Sequence, residues 1–204
     1  MKLRARSDGS DAEIGDAEER IMAGVVVVYG PPGAGKTTAT LRLADLLAAR
    51  GLRVGGFFQR TTVDALEHRG YDLVRFADHS QVIALARPGV RRDETADATV
   101  CSYVFSDDAL ATGWEWLRED AARAHALVID EVSKLEVAGQ GHCAAVRWAL
   151  SLPADLLVLL SVRADQLAYA VERFDLADRI RGYIELPATD AELEEMAERL
   201  SDRR

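Results

Sequence analysis

The chain has 204 residues, 49% of them hydrophobic, and a formal charge of -9 from 25 basic and 34 acidic side chains. That length and apolar content favour one domain with a substantial core. The acidic balance argues against a generic nucleic-acid or anionic-membrane surface, which calls for a basic patch.

Residues 1–22 read as a flexible charged leader, because "MKLRARSDGSDAEIGDAEER" has no apolar period and no signal-peptide h-region. Residues 23–204 read as a single domain. Its first strand is expected at "VVVVYG" (25–30), a continuous β-branched run of the kind covered on both faces. With the residues before it, this run is far shorter than the roughly 20 needed to cross a bilayer. "TTATLRLADLLAARG" (37–51) then places Ala39, Leu43, Leu46 and Leu47 on one helical face, with Gly51 as the stop.

The middle of the chain is strand-rich: "RVGGFFQR" (53–60), "YDLVRFAD" (71–78), "QVIALA" (81–86) and "TVCSYVF" (99–105). A helix is expected over 107–124, a buried strand at "ALVID" (126–130), a helix over 141–152, and another buried strand at "ADLLVLLSV" (154–162). "RGYIELP" (181–187) and a last helix, 189–200, close the pattern. In that helix Thr189 and Glu192 have capping-box spacing, and Leu193, Met196, Ala197 and Leu200 share a face. Alternating buried strands and amphipathic helices imply an α/β fold with a mostly parallel sheet flanked by helices. Cys101 and Cys143 make neither a disulfide framework nor a zinc motif, so a reduced, cytoplasmic setting is expected.

Between the first strand and the first helix lies "GPPGAGKTT", which fits G-x-x-x-x-G-K-[ST] in the strand–loop–helix context that its mechanism requires. The candidate nucleotide-binding residues are therefore Gly30, Pro31, Pro32, Gly33, Ala34, Gly35, Lys36, Thr37 and Thr38. The glycines let backbone N–H groups turn toward a phosphate chain, and the helix adds its positive end. Lys36 is expected on the β- and γ-phosphates, Thr37 on Mg²⁺ and Thr38 on the α-phosphate.

Ligands of such sheets lie beyond the carboxyl ends of the strands, where "ALVID" delivers Asp130. Asp130 is the expected second metal-side group, holding Mg²⁺ through water opposite Thr37. Glu131 is placed to orient or deprotonate the water attacking the γ-phosphoryl, which makes Lys36 and Glu131 the catalytic candidates. Glu136 either bonds back to "VSK" or faces solvent. Arg60, Arg69, Arg163, Arg173, Arg179 and Arg181 are candidates to meet transition-state charge, with Arg163 expected at the carboxyl edge of its strand. Phe57 and Phe58 stack on a base or fill the core. Trp114, Trp116 and Trp148 read as packing, and the four histidines lack ligand spacing.

"GPPGAGKTT", "LRVGGFF", "HRGYDLV" and "LVIDEVSKLE", in this order and at these intervals, resemble the small P-loop nucleoside-triphosphatase family that includes the cancer-related nucleoside triphosphatase. The resemblance runs from about Gly24 to Leu200. It implies a β-rich insert after the first helix and a slow, Mg²⁺-dependent hydrolase of ATP, GTP or related nucleotides, with 30–38 as the phosphate site and 127–134 beside the nucleotide. Ser133 stands where the family commonly has glycine, and "QRTTVDALEH" (59–68) departs most, so substrate or partner specificity is expected there.

Two other functions fit the residues. A small-molecule or nucleotide kinase would use the arginines of "ERFDLADRIRG" as a lid, and a nucleotide-dependent switch or AAA+-like module would couple binding to a protein partner.

Overall fold

The computed structural model describes residues 22–65, 67, 69–89 and 103–202. The expected leader (apart from Met22), His68 and Cys101 lie outside the described residues. In chain order the elements are β1 (Gly24–Gly30), α1 (Lys36–Ala49), β2 (Val54–Val63), β3 (Arg69–Arg75), β4 (Val82–Pro88), β5 (Tyr103–Phe105) and α2 (Asp107–Ala121). They continue with β6 (Ala126–Val132), α3 (Lys134–Val137), α4 (Cys143–Leu150), β7 (Leu157–Arg163), α5 (Leu167–Arg173), β8 (Ile180–Glu185) and α6 (Asp190–Ser201).

The β-branched run of β1 is continuous because both of its faces are covered. Val25 and Val27 belong to one apolar cluster, Val26 and Val28 to another, and all four are fully buried. β6 and β7 divide the same way, with Leu127, Ile129, Val158 and Leu160 on the first side and Val128 and Leu159 on the second. On the second side lie α1, through Leu43 and Leu47, and α6, through Leu193 and Met196. On the first lie α2 and α4, whose Trp114 and Trp148 rings meet at 5.5 Å, the packing role expected of them.

One eight-stranded sheet runs in the order β5, β4, β3, β2, β6, β7, β1, β8. The strands β2, β6, β7, β1 and β8 are mutually parallel, while β3, β4 and β5 extend the sheet antiparallel beyond β2. This is the expected α/β sheet with its β-rich insert. The residues between the expected strands 53–60 and 71–78 are themselves partly strand: β2 continues to Val63 and pairs back with β3 from Phe57↔Arg75 to Val63↔Arg69. Cross-strand pairing stabilises these residues whatever their polarity, so a hydrophobic pattern does not reveal them.

At the junction of the parallel and antiparallel parts, Gly56 has φ +96°, and a Cβ there would sit 2.1 Å from the Val128 carbonyl oxygen. Only glycine permits that approach of β2 to β6. Asp120 of α2 fixes the same corner, accepting from the Gly56 N–H at 2.9 Å and from the Arg75 guanidinium.

Candidate functional site

The carboxyl ends of β1 and β6 bring the two motifs together with β7 between them. After Gly30 the chain turns through Gly33 (φ +78°) and Gly35 (φ +89°), a left-handed conformation that glycine adopts without strain, and α1 starts at Lys36. Lys36 is buried, and its Nζ donates to the Pro31 carbonyl at 3.3 Å across the loop. Thr37 Oγ1 donates to Asp130 Oδ2 at 2.7 Å, joining residues 93 positions apart.

Asp130 is fully buried and holds three donors: Thr37, the Gln59 N–H at 3.1 Å, and Ser161 Oγ on its other oxygen. Burial pushes its pKa up, and these bonds together with the Lys36 charge oppose the rise. Beside it the strand register breaks. Ile129 pairs with Leu160 and Val132 with Val162, so Asp130 and Glu131 together face Ser161 alone. The bulge is held by the Glu131 N–H donating to Ser161 Oγ at 2.8 Å and places Glu131 at φ +71°, a conformation uncommon outside glycine and concentrated at functional sites. Through it Asp130 stays inside the sheet while Glu131 lines an open cavity. Burial, reinforced by the neighbouring Asp130 charge, raises the Glu131 carboxyl to about 7.

Glu136 is buried and bonds back: its Oε2 accepts from the Ser133 N–H at 2.9 Å and the Ser133 hydroxyl at 3.1 Å, and its Oε1 from the His142 N–H at 3.2 Å. It caps the turn that follows β6, with Ser133 as its partner.

The cavity measures about 580 Å³. One end is made by Gly33, Gly35, Lys36, Thr37 and Glu131; the other by Thr61, Arg69, Tyr71, Tyr103 and Phe105 of the insert, with Lys134 and Arg163 at its side. Arg163 emerges from β7 as expected and is gripped by both oxygens of Asp165, at 2.8 and 3.1 Å. Its charge also reaches Glu131, which singles it out among the candidate arginines. The Tyr71 and Tyr103 rings meet at 5.2 Å, and burial above all holds the Tyr71 phenol over its usual range, with the Glu131 carboxylate adding to the effect.

None of the three arginines proposed as a lid lines the cavity. Arg173 lies against Gly139 after α3, Arg179 donates to the Leu150 carbonyl at 2.9 Å, and Arg181 lies over Gly24, at the opposite end of β1 from the phosphate loop. Phe57 and Phe58 are both buried, against His142 and His79, so neither ring is available to a base. Ser161 and the aromatic wall escaped the sequence reading. Ser161 left a trace as the lone polar residue in "LLVLLSV", whereas Tyr71 and Tyr103 meet only when β4 brings β3 and β5 into one sheet.

Among the described residues no cluster of three or more His, Cys, Asp and Glu could hold a metal. The hard-oxygen pair Thr37 and Asp130 fits an ion that keeps most of its shell as water and phosphate, which is the habit of Mg²⁺. No helix among the described residues is long and apolar enough to cross a membrane.

The chain is similar in sequence and fold to known proteins. A cancer-related nucleoside-triphosphatase homologue of Bos taurus is 30% identical over 145 residues, covering 67% of this chain and 74% of its own. The nucleoside-triphosphatase THEP1 of Methanopyrus kandleri is 25% identical over 182 residues, covering 87% and 98%. In structure, the chain is similar to a human cancer-related nucleoside triphosphatase, with a TM-score of 0.69 at 25% identity over 89% of this chain and all of the other. The fold of THEP1 from Aquifex aeolicus also matches, with a TM-score of 0.55 at 19% identity over 84% and 96%. The sequence pattern of the NTPase family spans residues 25–183, and the chain belongs to that family.

Proposed function

We propose that residues 23–204 act as one Mg²⁺-dependent nucleoside-triphosphatase domain, hydrolysing ATP, GTP or a related nucleotide to the diphosphate and phosphate. The observation that carries this reading is the bulge at Ser161, which sets an inward carboxylate against Thr37 and an outward one on the cavity beside Lys36. The relatives named as nucleoside-triphosphatases support the same activity.

The backbone of Gly30–Thr38 wraps the phosphate chain, with Pro31, Pro32 and Ala34 shaping the loop and Thr38 on the α-phosphate side. Lys36 exchanges the Pro31 carbonyl for the β- and γ-phosphate oxygens. Thr37 and Asp130 would hold the metal ion, which when bound would supply charge neutralisation on the phosphates. Glu131, poised near neutrality in the nucleotide-free protein, takes a proton from the attacking water. Arg163, steadied by Asp165, meets the charge that develops on the transferring phosphoryl. A cytoplasmic setting suits a chain whose Cys143 is free and buried.

Phosphate release from ATP and GTP with Mg²⁺ tests the assignment. Glu131→Gln should lower kcat on the order of 100-fold or more with little change in nucleotide affinity, as removal of a general base does. Equal turnover by parent and variant overturns the role given to Glu131.

A further inference from the structure

Hydrolysis needs only the γ-phosphoryl and one water in the space before Glu131. A water takes up about 30 Å³. The cavity measures about 580 Å³, within the range of small-ligand sites. Its excess volume extends away from the phosphate loop toward β3 and β5, not back along the triphosphate. Lys36 and Thr37, the γ-phosphate side of the loop, line it, whereas Thr38, the α-phosphate side, is exposed and outside it. On the placement of the triphosphate given above, the nucleoside therefore leaves past Thr38, and the far end of the cavity faces the γ-phosphorus from the side where an attacking group stands.

That far end is not shaped for water. Tyr71 and Tyr103 form an edge-on aromatic pair with Phe105 beside them, and Arg69, Lys134 and Arg163 bring positive charge to the same space. Planar rings favour a stacked base, and guanidinium and ammonium groups favour a phosphate.

We propose that the insert end of the cavity is a second ligand subsite, for a nucleoside monophosphate, and that the bound monophosphate accepts the γ-phosphoryl in place of water. An oxygen of the acceptor phosphate forms the new bond to the γ-phosphorus. The bond from that phosphorus to the β–γ bridging oxygen breaks, and its electron pair leaves with the donor, so donor and acceptor both end as diphosphates. The dianionic acceptor oxygen carries no proton, and this transfer has no need of Glu131.

The test incubates the full chain with Mg²⁺ and γ-phosphate-labelled ATP at pH 8, adding AMP, GMP, CMP or UMP in turn, and separates labelled diphosphate from labelled phosphate. The expected result is label in the acceptor's diphosphate with at least one base. Tyr71→Ala and Arg69→Ala should each lower that yield at least about fivefold, the low end for removing a base-stacking platform. Without acceptor, their phosphate release should stay within about twofold of the parent. Arg69 is exposed, so its variant reports even if Tyr71→Ala fails to fold.

Glu131→Gln should lose phosphate release and keep the labelled diphosphate, which separates this proposal from the hydrolytic assignment on which it rests. Phosphate release with no labelled diphosphate for any of the acceptors overturns the subsite. A raised KM for ATP alone in Tyr71→Ala also overturns it, because the aromatic wall then holds the donor's own base.

Discussion

The adjacent carboxylates Asp130 and Glu131 divide their labour through their environments. Asp130 is enclosed by three donors, whereas Glu131 is thrust out by the bulge with only its backbone N–H anchored at Ser161. In the metal-free, nucleotide-free protein the Glu131 carboxyl is raised from 4.5 to about 7, so across that window the folded state binds a proton that the unfolded state has released. Stability therefore falls as pH rises through the window. Glu131→Gln removes this contribution. Its stability relative to the parent should climb from about pH 4.5 to 7, by at most about 3.5 kcal/mol at roughly 1.4 kcal/mol per pH unit, and stay level outside. Urea unfolding at a series of pH values checks this, and a difference independent of pH contradicts it. The residue identities were legible in the sequence, because a phosphate loop creates demand for an acidic strand end. The bulge was not, because it depends on Ser161 of another strand.

Elements meet at places where one residue type alone is admissible. β2 crosses closest to β6 at Gly56, where φ is +96° and a Cβ would overlap the Val128 carbonyl. Gly56→Ala should therefore lower the unfolding free energy on the order of 2–4 kcal/mol, combining left-handed strain with a steric clash that the backbone must relieve. Chemical denaturation measures it, and a loss under about 0.5 kcal/mol, typical of indifferent surface positions, contradicts the assigned contact. The capping box of α6 illustrates the opposite case. Thr189 and Glu192 exchange bonds, the Thr189 N–H to Glu192 Oε2 at 2.7 Å and the Glu192 N–H to Thr189 Oγ1 at 3.3 Å, as their spacing announced. Local devices of this kind are readable along the chain, whereas α3 and α5 have too few residues to show a helical period.

For the molecule as a whole, the phosphate loop after β1 and the acidic end of β6, one strand apart, are already joined by the Thr37–Asp130 bond, and a ligand held by both is expected to add to that link. A Mg²⁺–nucleotide complex at about 100 times its Kd should stabilise the folded state by roughly 2.7 kcal/mol and raise Tm accordingly. Lys36→Ala should abolish the increase, and thermal melts of parent and variant with and without Mg²⁺–nucleotide check both. An unchanged shift in the variant removes Lys36 from the phosphate site. The sequence by itself determined the α/β class, the phosphate loop and the acidic strand end, because each is written in contiguous residues: a run of β-branched side chains, glycines next to a lysine, carboxylates closing an apolar strand. Only the tertiary structure decided which way Glu131 points, which arginine stands by it, and what forms the far wall of the cavity. Arg163, Tyr71 and Tyr103 come from β7, β3 and β5, and residues so distant along the chain become neighbours only when the sheet fixes strand order and register.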